Sequence, residues 1–122
     1  MEVKKEILIK GEKAILTYSD TMLGKEPDEL ETSNMYANIL LENTGINTNL
    51  YVYGQEYYDR DKDDYVPDFY FEVVDFDKDE NELSFSETIY ETASTESELI
   101  DLMTSYSSCL DSLDECSETK VL

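Results

Sequence analysis

Eleven carboxylates crowd residues 59–82: Asp59, Asp61, Asp63, Asp64, Asp68, Glu72, Asp75, Asp77, Asp79, Glu80 and Glu82. Such groups can transfer protons, hold divalent metals or meet the cationic surface of a partner. The chain has no His, which removes the commonest general base and the commonest neutral metal ligand. Two Cys without His cannot build an ordinary zinc site. Glycines at 11, 24, 45 and 54 match no phosphate-binding fingerprint. Among 30 acids some pair will always look catalytic, so paired carboxylates carry almost no signal. A polyanionic nuclease would also repel its own substrate. The expectation is therefore a protein that binds, with no catalytic residue, metal site or cofactor.

Two runs repeat Asp-x-Asp-x-Asp, Asp59 to Asp63 and Asp75 to Asp79, like the opening of a calcium-binding EF-hand loop. Position six of that loop should be Gly and is Asp64 or Glu80. Position twelve should be a bidentate Glu and is Tyr70 or Ser86. Singly, each run also suits a solvated turn, where Asp is favoured for its local hydrogen bonds. Taken together the acids suggest more. Extended carboxylates two residues apart lie about 6.6–7 Å from one another on one strand face. That approaches the phosphate repeat of a nucleic-acid strand, so rows of them could occupy a Lys/Arg site built for DNA or RNA. The expected partner-binding residues are Asp59, Asp61, Asp63, Asp64, Asp68, Asp75, Asp77, Asp79, Glu80 and Glu82.

Aromatic residues share this region. Six of the ten tyrosines, Tyr51, Tyr53, Tyr57, Tyr58, Tyr65 and Tyr70, lie beside Phe69 and Phe71. Tyrosine combines a broad apolar face with a polar tip and is enriched at binding hot spots. Tyr51, Tyr53, Phe69 and Phe71 are read as core residues of paired strands. Tyr57, Tyr58 and Tyr65, set among charges, join the expected interface.

The elements that position these residues read as one α+β domain over 1–122, a small antiparallel sheet of four to five strands with two helices. Residues 2–9 and 13–18 form strands around a turn at Lys10-Gly11-Glu12. Residues 28–43 read as a helix, with Pro27 before its acidic start, Gly45 past its end and Leu30, Met35, Ile39 and Leu40 as its stripe. Residues 49–54 form a strand, 55–67 an acidic aromatic loop, and 68–77 with 82–90 a hairpin closed by 78–81. Thr95 and Glu98 form a capping box for an amphipathic helix over 96–115, with Leu99, Met103, Tyr106, Leu110 and Leu113 on its apolar face. Residues 116–122 are expected to fray.

Net charge is −21, far beyond the magnitude of about 2–8 that keeps a small domain soluble, and it destabilises the compact state. Residues 1–25 carry five Lys against four acids, so the excess belongs almost wholly to the rest. No apolar run approaches the ~18 residues of a membrane span, and no charged start leads into a secretory segment. Cys109 and Cys116 would stand about 10.5 Å apart on one helix, too far for a disulfide. A cytoplasmic protein with reduced thiols is expected, one that avoids anionic membranes and does not itself bind nucleic acid.

In size, in the acidity of residues 26–122, in its lack of His and Trp and in the acidic region 56–82, the chain resembles small acidic anti-defence proteins of phages and mobile elements. These include anti-CRISPR inhibitors and DNA-mimic antirestriction proteins. The resemblance implies a stoichiometric inhibitor occupying the nucleic-acid or target-recognition site of a basic nuclease or CRISPR effector. It implies no individual residue roles, because those groups share no diagnostic motif. The basic segment 1–25 departs from a uniformly acidic mimic and would face away from the partner. Competing readings are an immunity protein or antitoxin against a basic toxin, a calcium-responsive binding module, and haloadaptation.

Overall fold

Alternating aliphatic residues decide the architecture. In the computed structural model, which describes residues 1–113, six strands form one antiparallel sheet in chain order. They are β1 (Glu2–Ile9), β2 (Glu12–Ser19), β3 (Met35–Leu41), β4 (Asn47–Asp59), β5 (Asp64–Phe76) and β6 (Glu82–Phe85). Two short helices follow, α1 (Glu96–Tyr106) and α2 (Ser108–Asp111), and 3-10 turns occupy Asp20–Met22 and Pro27–Glu29. The class is α+β as expected, with more strands than the four to five foreseen.

β1 and β2 close on the two-residue turn Lys10-Gly11, whose positive φ angles of 49° and 85° match the twist of a tight hairpin. On β2, Ala14, Leu16 and Tyr18 point into the core, and every second residue of β3 to β5 joins them: Ala37, Ile39, Leu41, Leu50, Val52, Phe71 and Val73. Met22, Ile89, Ala93, Leu99, Leu102, Met103 and Leu110 close the same core from above. The helices therefore cover one face of the sheet.

The helix expected over 28–43 is a correction. Pro27 opens a single 3-10 turn, in which the Glu26 and Glu29 side chains cap each other's backbone amides. Ser33 then takes a left-handed φ of 65° and the chain enters β3. Ala37, Ile39 and Leu41 alternate inward, a strand period that outweighs the helical spacing of Met35 and Ile39. Gly45 (φ 76°) belongs to the β3–β4 turn, where an added Cβ would stand 2.8 Å from that of Lys78.

The single helix expected over 96–115 is also corrected. Thr95 Oγ1 accepts the Glu98 amide, as foreseen, while the Glu98 carboxylate returns to the Ser94 amide. The helix then breaks at Ser107, whose Oγ accepts the Leu110 amide to start α2 and donates to Asp75. The residues expected to fray, and Cys116, lie outside the described residues.

Asp75 explains the break. It is 1% exposed and receives four donors. Thr48 and Ser107 hydroxyls reach its Oδ1 at 2.7 Å each; the Ser84 hydroxyl (2.6 Å) and Cys109 amide (3.3 Å) reach Oδ2. Four donors match the acceptor capacity of a carboxylate, which makes a buried one tolerable. Burial and this carboxylate push the Cys109 thiol up to about 11. The network joins β4, β5, β6 and the α1–α2 junction.

Replacing Asp75 with Ala is expected to cost about 2–4 kcal/mol, because three hydroxyls and an amide lose their acceptor inside the protein. Asp75→Asn retains one acceptor and should cost less. Urea unfolding followed by circular dichroism measures both, and a loss below about 1 kcal/mol for the Ala variant would mean that the network holds little together.

Candidate partner-binding surface

β3 pairs with β4 only as far as Tyr51. From Tyr53↔Tyr70 to Asp59↔Asp64, β4 and β5 continue as a two-stranded ribbon, about 20 Å long at the usual strand rise. The loop expected over 55–67 is thus mostly strand, and only residues 60–63 turn. Gly54 permits this geometry: the Phe69 ring lies across it, 2.9 Å from where a Cβ would stand. Tyr90 donates to Asp68 at 2.9 Å, which raises the Tyr90 hydroxyl pKa, and ties the ribbon's base to the chain after β6.

The ribbon's tip holds the first Asp run. Asp59 accepts the amides of Asp61 (2.9 Å) and Lys62 (3.4 Å), Asp64 accepts the Tyr65 amide, and Asp63 accepts the Tyr58 hydroxyl. The Asp61 carboxylate makes no hydrogen bond and faces solvent. Tyr58 and Tyr65 meet edge-to-face, ring centroids 5.5 Å apart, yet stay 48% and 65% exposed; Tyr57 is 50% exposed. All three expected interface tyrosines are therefore displayed.

The second Asp run lies at the other end of β5, on the order of 40 Å away at about 3.4 Å per residue. Here Asp77 accepts the Asn81 and Asp79 amides at 2.9 Å and the Asn81 side chain at 3.1 Å. These bonds, the Asn81 amide's above all, hold its carboxyl below the usual aspartate range. Asp79, Glu80 and Glu82 are exposed. Asp75, expected at the interface, is instead the buried anchor described above, since its strand position turns it toward the helices.

The two runs stand apart, because β5 separates them along its length. The expected 6.6–7 Å ladder does not form: Asp59 and Asp77 bind backbone amides of turns, and Asp75 is buried toward the helices. Among the described residues, the group whose carboxylate oxygens converge within 4.8 Å is Glu26, Asp28 and Glu29, outside both runs and exposed.

Between the two ends lies a surface that reads differently from its sequence. Tyr51 and Tyr53, expected in the core, project from the opposite sheet face with Tyr70, while Leu50 and Val52 take the interior. Of the four aromatics expected inside, Phe71 alone is fully buried, and Phe69 is half-buried over Gly54. Adjacent ring centroids along Tyr51, Tyr53 and Tyr70 stand 6.0 Å apart. Glu72 pairs across the strands with Tyr51. The signal was present in Asn49-Leu50-Tyr51-Val52-Tyr53, where aliphatics and aromatics alternate and only one set can face the core.

Ion pairs join the N-terminus to Asp20, Lys5 to Glu96 and Lys10 to Asp111. Lys5 and the Tyr18 hydroxyl hold the Glu96 carboxyl below its ordinary pKa. The basic segment thus fastens β1 to the helices, and no acid from Glu26 to Glu91 is ion-paired. No helix among the described residues is long and apolar enough to cross a membrane. No family model, curated protein or solved structure matches the chain.

Because Asp77 has a lowered pKa, its bonds stabilise the β5–β6 turn above the unfolded aspartate's pKa, and this support is lost as pH falls through the folded value. Protection of the Asp79 and Asn81 amides against hydrogen exchange, taken relative to their intrinsic rates, should therefore fall in acid, and Asp77→Ala should show the reduced protection at neutral pH. Exchange at those amides that ignores both changes would refute the turn's dependence on Asp77.

Proposed function

We propose that this chain is a stoichiometric inhibitor, of the anti-CRISPR or antirestriction kind, that binds a basic nucleic-acid-processing protein in the host cytoplasm and blocks its nucleic-acid or target-recognition site. The observation that carries this reading is the β4–β5 ribbon: a projecting element that displays Tyr57, Tyr58, Tyr65 and a cluster of aspartates without any ion pair. Unneutralised charge of this density costs stability, and a cationic partner would recover that cost on binding. Aromatic anchors beside it supply the apolar contact that charge alone lacks.

The two turns act as local anionic patches at opposite ends of a strand. This favours a partner with separated basic clusters over a continuous imitation of a nucleic-acid strand. The ion-paired β1 edge would face away from it.

Affinity capture from a candidate host lysate with stepwise salt elution tests the proposal. A basic nucleic-acid enzyme should elute late, be displaced by added DNA or RNA, and lose activity at one equivalent of inhibitor. Reversal of Asp61 and Asp64 to Lys at the ribbon tip should weaken binding by about tenfold or more and flatten its salt dependence. Reversal of Asp79 and Glu80 at the far turn reports whether both ends engage. If no basic protein is retained by the wild-type chain, the inhibitor reading fails.

A further inference from the structure

The sheet face opposite the helices carries Tyr51, Tyr53 and Tyr70 in a ladder, with the half-buried Glu72 beside them. Glu72 makes neither an ion pair nor a hydrogen bond among the described residues. Tyr53 lies close enough to feel its charge. A carboxylate set among aromatic faces, open on one side and lacking a cation, has the composition that recognises a guanidinium. The planar ion stacks on the rings, within about 6 Å of a centroid, while its fork donates to the carboxylate.

We propose that Glu72 and the Tyr51–Tyr53–Tyr70 ladder form the receptor for an arginine side chain of the partner. This deepens the inhibitor reading and rests on it for the partner's basic character. Charge complementarity selects the occupant: Glu82 adds negative potential at Glu72, and the chain's net charge of −21 repels nucleic acid. Arginine is favoured over lysine because a compact, strongly hydrated ammonium gains less from stacked rings. Burial, and then Glu82, raise the Glu72 pKa, so its charge is held at a greater cost than that of a free carboxylate. An incoming guanidinium would relieve that cost.

Hexa-arginine and hexalysine peptides, titrated calorimetrically at physiological salt, provide the test without knowledge of the partner. Hexa-arginine should bind several-fold tighter than hexalysine and shift the ring resonances of Tyr51, Tyr53 and Tyr70. Glu72→Gln and Tyr53→Leu should each weaken hexa-arginine about tenfold, whereas Asp61→Lys at the tip should weaken it only about two- to threefold. Melting verifies the fold: removing a carboxylate of raised pKa should leave the neutral-pH Tm of Glu72→Gln unchanged or higher. Equal affinity for the two peptides, or unaltered binding by a folded Glu72→Gln, overturns the arginine site. So does sedimentation showing this face already buried in a dimer. Each of these failures leaves capture of a basic enzyme intact, whereas loss of capture with the peptide selectivity preserved strikes the inhibitor reading alone.

Discussion

One buried carboxylate holds the two layers of this fold together. Asp75 gathers hydroxyls from Thr48 and Ser84, its neighbours on β4 and β6, and the hydroxyl and amide that begin α2. An ionisable group in a dry interior is costly unless each lone pair is used. Here the donors come from three segments, β4, β6 and the α1–α2 junction, so the carboxylate is satisfied only when all have docked. The helix break at Ser107 follows from the same demand, since one hydroxyl both caps α2 and donates to Asp75.

That anchor commits one sheet face to the helices and leaves the other for aromatic and amide side chains. On the open face Asn38 donates to Asn49 at 2.6 Å, a polar patch bordering the tyrosine ladder. The ion pairs of Lys5 and Lys10 fasten β1 and its turn to the helices. The acids of the β4–β5 ribbon and β5–β6 turn are left to solvent or a partner. A charged surface beside exposed rings is the chemistry on which both the inhibitor reading and the arginine receptor rest.

Legibility in the sequence varied with the range of the forces involved. The β1–β2 hairpin, the β5–β6 hairpin and the Thr95 cap could be read because a turn or cap is decided within a few residues. β3 was misread because Met35, Ile39 and Leu40 satisfy a helical spacing as well as Ala37, Ile39 and Leu41 satisfy a strand. Pairing with β2 and β4 broke the tie, as tertiary context routinely overrides propensity. Residues 55–67 looked like a loop because their charges mask the alternation. The strand persists there through pairing with its partner and through the fit of Phe69 over Gly54.

By itself the sequence determined the acidity and its confinement to residues 26–122, the absence of His and nucleotide fingerprints, the α+β class and the exposure of Tyr57, Tyr58 and Tyr65. These depend on composition or on local rules. Only the tertiary structure decided that Asp75 is an anchor, that the two Asp runs stand at opposite ends of β5, and that Tyr51 and Tyr53 face outward with Glu72. The reason is physical: which face of a strand is buried, and where its ends lie, depend on the elements that pack against it, and those are distant along the chain.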